Sequence, residues 1–155
     1  MAIEVGNLAP EFSLYNTEKT KVSLADYKGK KIVLLFFPLA FTGVCTSEMC
    51  TMRDNMSMYE QLDAEIIGIS VDSLFVLGEF KKTHQLNFTL LSDFNKEVCA
   101  QYDTLFEAFA FDMQGVSKRA SFVIDKEGIV RYKEVLESAG DLPNFQAIQD
   151  CVATC

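Results

Sequence analysis

The sequence predicts an α/β fold in which a central mixed β-sheet carries helices on both faces. Three observations lead there. Residues 32–37 (Ile-Val-Leu-Leu-Phe-Phe) and 66–69 (Ile-Ile-Gly-Ile) are continuous apolar runs of strand length. Strands apolar on both sides belong in the middle of a sheet that is covered twice. Segments of helical period separate these runs and follow them. Near the end, residues 120–124 and 129–135 flank Asp125-Lys126-Glu127-Gly128, a Gly-containing turn that reads as a hairpin.

Taken in order, residues 11–14 and 21–24 are short strands, and residues 24–27 turn into a Lys/Gly-rich link. The first buried strand follows at 32–37. A loop at 38–43 leads to a helix over 44–62. There Met49, Met52, Met56 and Tyr59 recur at intervals of three and four, the mark of one helical face. These methionines, with Met58, are read as packing. The second buried strand, 65–71, is followed by a helix at 73–84 carrying Phe75, Leu77 and Phe80. Residues 88–91 form a strand, 95–102 a short helix, and 142–155 a terminal helix introduced by Pro143. This order is that of a thioredoxin-like fold, in one domain spanning 1–155.

Composition narrows the function. Fourteen basic against twenty-two acidic side chains give a formal charge of −8. That surface repels phosphate and excludes a broad nucleic-acid or anionic-membrane footprint. An apolar fraction of 49%, with thirteen Phe and five Tyr, is too high for a disordered chain. No apolar run reaches the ~18 residues of a membrane helix. No export signal is visible at residues 1–10, so the five cysteines read as thiols in a reducing cytoplasm.

The chemistry concentrates at residues 38–50, Pro-Leu-Ala-Phe-Thr-Gly-Val-Cys-Thr-Ser-Glu-Met-Cys. A buried strand ends, a turn follows, and Cys45 falls in the first turn of a helix. The free N–H groups and partial positive charge of that terminus favour a thiolate. The Thr42 hydroxyl lies three residues before the sulfur, within reach of it or of an oxygen bound beside it. Pro38 can fix the loop and shield the sulfur from water.

These residues resemble the signature of the peroxiredoxins, P-x-x-x-T/S-x-x-C, at Pro38, Thr42 and Cys45. The Phe-Phe-Pro strand end, residues 69–73 (Ile-Ser-Val-Asp-Ser), 91–93 (Leu-Ser-Asp) and 119–125 (Arg-Ala-Ser-Phe-Val-Ile-Asp) resemble the family as well. The likeness implies a thiol-dependent peroxidase without metal or organic cofactor. Cys45 would attack a hydroperoxide and become a sulfenic acid. Arg119 would hold the thiolate and polarise the peroxide. Thr42 and the Cys45 N–H would orient the peroxide oxygens, with Phe41 among the substrate-binding residues. Thr46, where many members have Pro, fits a subgroup like the one-cysteine bacterial alkyl hydroperoxide reductase E type. Glu48 matches a common family acidic position, and reads equally as a first-turn carboxylate stabilised by the helix dipole.

The spacing of Cys45 and Cys50 resembles the bacterioferritin-comigratory-protein (peroxiredoxin Q) subgroup, in which the second cysteine resolves the first as a disulfide. Five helical residues advance ~7.5 Å and turn ~500°, so that bond requires the helix to melt locally. Cys151 and Cys155, on one face of the terminal helix, are alternative resolving candidates, and turnover by Cys45 alone is a third. Without a nearby histidine, their C-x3-C spacing is a poor zinc site. Cys99 reads as core. His84, the only histidine, reads as a helix-end residue, while Arg53 and Asp54 either support Arg119 or face solvent. The family default reductant is thioredoxin. Phe41 and residues 105–111 fall where the family forms its pocket rim and dimer contacts, so a homodimer is expected. A disulfide exchanger is the competing class, but it usually needs C-x2-C, and the chain has none.

Overall fold

The structure is a computed structural model that describes residues 3–155. Its strands are β1 (Ser13–Asn16), β2 (Lys21–Ser23), β3 (Lys31–Phe36), β4 (Ala64–Ser70), β5 (Thr89–Ser92), β6 (Arg119–Ile124) and β7 (Val130–Leu136). They form one seven-stranded sheet in the order β2-β1-β5-β4-β3-β6-β7. The central three, β5, β4 and β3, are parallel, while the β1–β5, β1–β2, β3–β6 and β6–β7 pairs are antiparallel. The helices are α1 (Gly43–Asp54), α2 (Met56–Gln61), α3 (Leu74–His84), α4 (Glu97–Gln101) and α5 (Phe145–Thr154).

The two-residue period of β3 divides the core. Val33, Leu35 and Phe37 join Met49, Met52, Met56, Leu77, Phe80, Ile148 and Val152 in a layer beneath α1, α2, α3 and α5. Ile32, Leu34 and Phe36 join Val98, Cys99, Tyr102 and Phe122 on the opposite face, beside α4. Both faces are therefore filled, which is why the run could be apolar throughout. At Gly68 of β4 a Cβ would meet Leu90 Cδ2 at 2.7 Å and Phe37 at 3.3 Å, so close packing requires glycine there.

Several expected boundaries move. The helix expected over 44–62 is two helices, parted at Asn55, whose Nδ2 donates to the Thr51 carbonyl at 2.9 Å. A side chain that bonds its own backbone competes with the helical ladder. The first strand starts at Ser13 rather than Glu11, and the Glu11 carboxylate accepts the Ala25 N–H at 2.8 Å. The terminal helix begins at Phe145, not Leu142, since Asn144 is its cap and accepts the Ala147 N–H at 3.0 Å. The expected hairpin forms through Asp125, whose Oδ1 accepts from Glu127 and Ile129 N–H groups, with Gly128 at φ 85.

Candidate active site

β3 runs out of the sheet into Pro38, and the chain turns through Phe41, at φ 67, into α1. Asp72, just beyond β4, fixes this turn. Its Oδ2 accepts the Ala40 N–H at 2.8 Å and the Ser70 hydroxyl at 2.6 Å. Thr42 is the N-cap residue of α1, and its carbonyl accepts from both the N–H and the hydroxyl of Thr46. Cys45 is thus the third helical residue, where the backbone N–H groups have no helical acceptor. Its side chain turns inward and is 1% exposed.

Arg119, the first residue of β6, reaches the same place from across the sheet. It is 1% exposed, and all three of its nitrogens donate. Nη1 donates to Cys45 Sγ at 3.4 Å and to Glu48 Oε1 at 2.6 Å. Nη2 donates to the Ala139 carbonyl at 2.9 Å and Nε to that of Asp141 at 3.1 Å. The guanidinium is therefore clamped in one orientation with its charge facing the sulfur. Burial alone would lower its pKa, but Glu48 and Cys45 more than offset that and raise it. Burial pushes the Glu48 carboxyl the other way from its usual range, up to about 7, although Arg119 pulls it down. Glu48 Oε2 has no hydrogen-bond partner. A carboxylic acid tolerates that burial better than a carboxylate does.

Pro38, Thr42, Gly43, Val44, Cys45, Phe109, Arg119, Ala139 and Gly140 line a cleft of about 240 Å³ over the sulfur. Of the residues singled out in the sequence, Pro38, Thr42, Cys45 and Arg119 meet here. Thr42 departs from the expected contact with sulfur, because its hydroxyl donates to the Leu39 carbonyl at 2.8 Å. Its oxygen keeps its acceptor capacity, and Thr42 lines the cleft. Phe41, expected among the substrate-binding residues, does not line the cleft. Its ring packs on Phe80 and His84, with centroids 5.1 and 6.2 Å apart, because the positive φ turns the residue toward α3. Phe109 contributes the aromatic wall instead. Glu48 carried no clear sequence signal for burial, and the Ala139 and Asp141 carbonyls carried none, since a backbone acceptor leaves no mark on residue type.

The other candidates lie elsewhere. Cys50 is half-buried in the intact α1 and is absent from the core layer that holds Cys45. Arg53 does not support Arg119; it bonds Asp54 and donates to the His84 carbonyl at 2.6 Å. Cys99 is fully buried, and desolvation followed by nearby Asp93 pushes its thiol far up. Cys151 and Cys155 line a different cleft, with Asp125 and Arg131. No group of three or more His, Cys, Asp or Glu placed to hold a metal ion occurs among the described residues. No helix of the described residues is long and apolar enough to cross a membrane.

A sulfur held in the first turn of a helix against a clamped guanidinium defines a thiol site on a thioredoxin-like frame. Comparison with known proteins agrees. The model of the AhpC/TSA family matches residues 5–133. The chain is 42% identical over 130 residues to Peroxiredoxin Bcp of Bacillus subtilis, covering 83% of this chain and 82% of that protein. It is 41% identical over 132 residues to the putative peroxiredoxin bcp of Coxiella burnetii, covering 84% and 87%. The crystal structure of Peroxidoxin BcpB from Mycobacterium tuberculosis superposes with a TM-score of 0.86 at 26% identity, over 97% of this chain and 96% of that one. The chain belongs to the AhpC/TSA family and is a peroxiredoxin, a thiol-dependent peroxidase.

Proposed function

We propose that Cys45 is the peroxidatic cysteine and that hydrogen peroxide and small organic hydroperoxides are its substrates. The 3.4 Å contact between Arg119 Nη1 and Cys45 Sγ carries this reading. A fixed positive charge at that distance faces the sulfur, and it stays in place as charge passes to the peroxide. The thiolate attacks the nearer peroxide oxygen and the O–O bond breaks. Water or an alcohol leaves, and Cys45 keeps one oxygen as a sulfenic acid. Thr42 Oγ1, its proton committed to Leu39, accepts from the peroxide hydroxyl. Pro38 and Phe109 keep the cleft dry, and a cleft of about 240 Å³ admits a hydroperoxide with a short alkyl group.

Cys50 is proposed to resolve the sulfenic acid, with a thioredoxin-type dithiol as the reductant. The chain works in the cytoplasm, where its five free thiols stay reduced, and it assembles as a homodimer of single 1–155 domains. The exposed rings of Phe75 (69%) and Phe111 (94%) support the last point.

Rapid mixing of the reduced protein with hydrogen peroxide, followed by intact mass measurement, tests the assignment. One fast oxidation per chain is expected, and Cys45→Ser abolishes it. Loss of two hydrogens identifies a resolving cysteine, whereas gain of one oxygen identifies one-cysteine turnover. A Cys45 no faster than a free thiol would overturn the reading.

A further inference from the structure

Asp72 is not among the residues that line the cleft over Cys45, yet it reaches that cleft through a single peptide unit, the one joining Leu39 to Ala40. The N–H of this unit donates to Asp72 Oδ2 at 2.8 Å. The C=O of the same unit accepts the Thr42 hydroxyl at 2.8 Å. One amide therefore stands between a carboxylate and the hydroxyl of a cleft residue.

Asp72 is itself held in place. Its Oδ2 also accepts the Ser70 hydroxyl at 2.6 Å, and its own N–H donates to that hydroxyl oxygen at 3.2 Å. Its carbonyl accepts the Ser92 hydroxyl at 2.6 Å. The ends of β4 and β5 thus aim the carboxylate at the turn before α1. That turn needs the support. Ala40 is 9% exposed, so its N–H has little access to water. Phe41 beside it holds φ 67, a conformation that a non-glycine residue keeps only where its surroundings over-determine it. Hydrogen bonds in series polarise one another. A carboxylate drawing on the Ala40 N–H makes the Leu39 oxygen a stronger acceptor and keeps the Thr42 proton on it. The lone pairs of Thr42 Oγ1 then remain for a donor.

We propose that Asp72 is a positioning residue for peroxide reduction: through the Leu39–Ala40 peptide it commits the Thr42 proton and so fixes Thr42 Oγ1 as an acceptor for the peroxide hydroxyl. The proposal rests on Thr42 accepting from the peroxide. Without Asp72 the peptide unit is free to turn and the Thr42 hydroxyl takes other partners. The peroxide is then held less often in line with the sulfur.

A double-mutant cycle on the second-order rate of Cys45 oxidation by hydrogen peroxide tests this. Thr42→Val keeps the β-branched shape and loses no helix cap, because the Thr42 side chain makes no cap hydrogen bond. Asp72→Ala should slow oxidation about tenfold in the otherwise wild-type chain. In the Thr42→Val background the same change should cost less than about twofold. Asp72→Asn keeps an acceptor oxygen but not the charge that strengthens such a bond, so it should cost about threefold, again only where Thr42 is present. That variant carries the test if Asp72→Ala does not fold. Equal losses in both backgrounds would mean that Asp72 only shapes the fold and would overturn the proposal, as would an unchanged rate in either folded variant. An unchanged rate in Thr42→Val would overturn it together with the role of Thr42. Cys45→Ser reports on the peroxidatic assignment by itself, so the two failures separate.

Discussion

Arg119 makes four hydrogen bonds, and only one of them touches sulfur. The other three fix the direction of its charge. Arg119→Leu removes the charge and the clamp together, so the rate of Cys45 oxidation should fall by about 10²–10³-fold, the usual loss when one preorganised donor goes. Arg119→Lys keeps the charge but cannot span Ala139, Asp141, Glu48 and Cys45 at once, and should recover only a small part of that loss. Stopped-flow oxidation of both variants checks this; an unchanged rate in the Leu variant would remove Arg119 from the mechanism. Glu48 shares the same Nη1, and its carboxyl titrates near pH 7. Below that pH the neutral acid leaves the guanidinium charge to the sulfur, and above it a carboxylate competes. The component of the oxidation rate with a midpoint near pH 7 should therefore disappear in Glu48→Gln. The same group bears on stability. Its folded pKa lies above the ordinary 4.5, so its contribution is full below pH 4.5 and is lost as pH rises through about 7. The melting temperature of Glu48→Gln should lack that decline, and a parallel decline in variant and wild type would refute the link.

At the scale of elements, α1 holds both Cys45 and Cys50 in unbroken helix, on different sides. A disulfide between them needs Cα atoms closer than the ~8.7 Å that five helical residues impose. Oxidation should thus unwind the first turns of α1. Peroxide treatment should lower helical circular dichroism and speed amide exchange across residues 43–50, and Cys50→Ser should show neither change. A Cys45–Cys50 bond formed with α1 still protected would refute the coupling. The break at Asn55 supports such unwinding, since α1 is not stiffened by a continuous helix beyond it. That break was not legible in the sequence, because Met49, Met52, Met56 and Tyr59 keep their helical spacing across it and all four reach the core. The β3 and β4 runs and the β6–β7 hairpin were legible, since double-sided burial and a Gly turn each leave a residue-type signature. The positions that line the cleft were legible where side chains carry them, at Pro38, Thr42, Cys45 and Arg119. The Phe109 wall was only roughly placed, and the carbonyl clamp was invisible.

The whole molecule combines a formal charge of −8 with exposed aromatic rings at Phe41, Phe75, Phe94 and Phe111. In a homodimer two such chains repel at long range, while buried aromatics draw them together at contact. Salt acts on these terms differently. Raising ionic strength from about 0.05 to 0.5 M shrinks the screening length from roughly 14 to 4 Å. It leaves the apolar term intact or strengthens it. The proposed dimer should therefore tighten as salt is added, the reverse of an assembly held by opposite charges. Sedimentation equilibrium at several salt concentrations measures this directly against the 17.4 kDa chain. Phe75→Ser and Phe111→Ser locate the contact, because the ring that is buried on assembly should weaken association by about 1–3 kcal/mol when removed. A chain that sediments as a monomer at micromolar concentration throughout would rule the dimer out, and weakening with salt would transfer the interface from aromatic to ionic contacts.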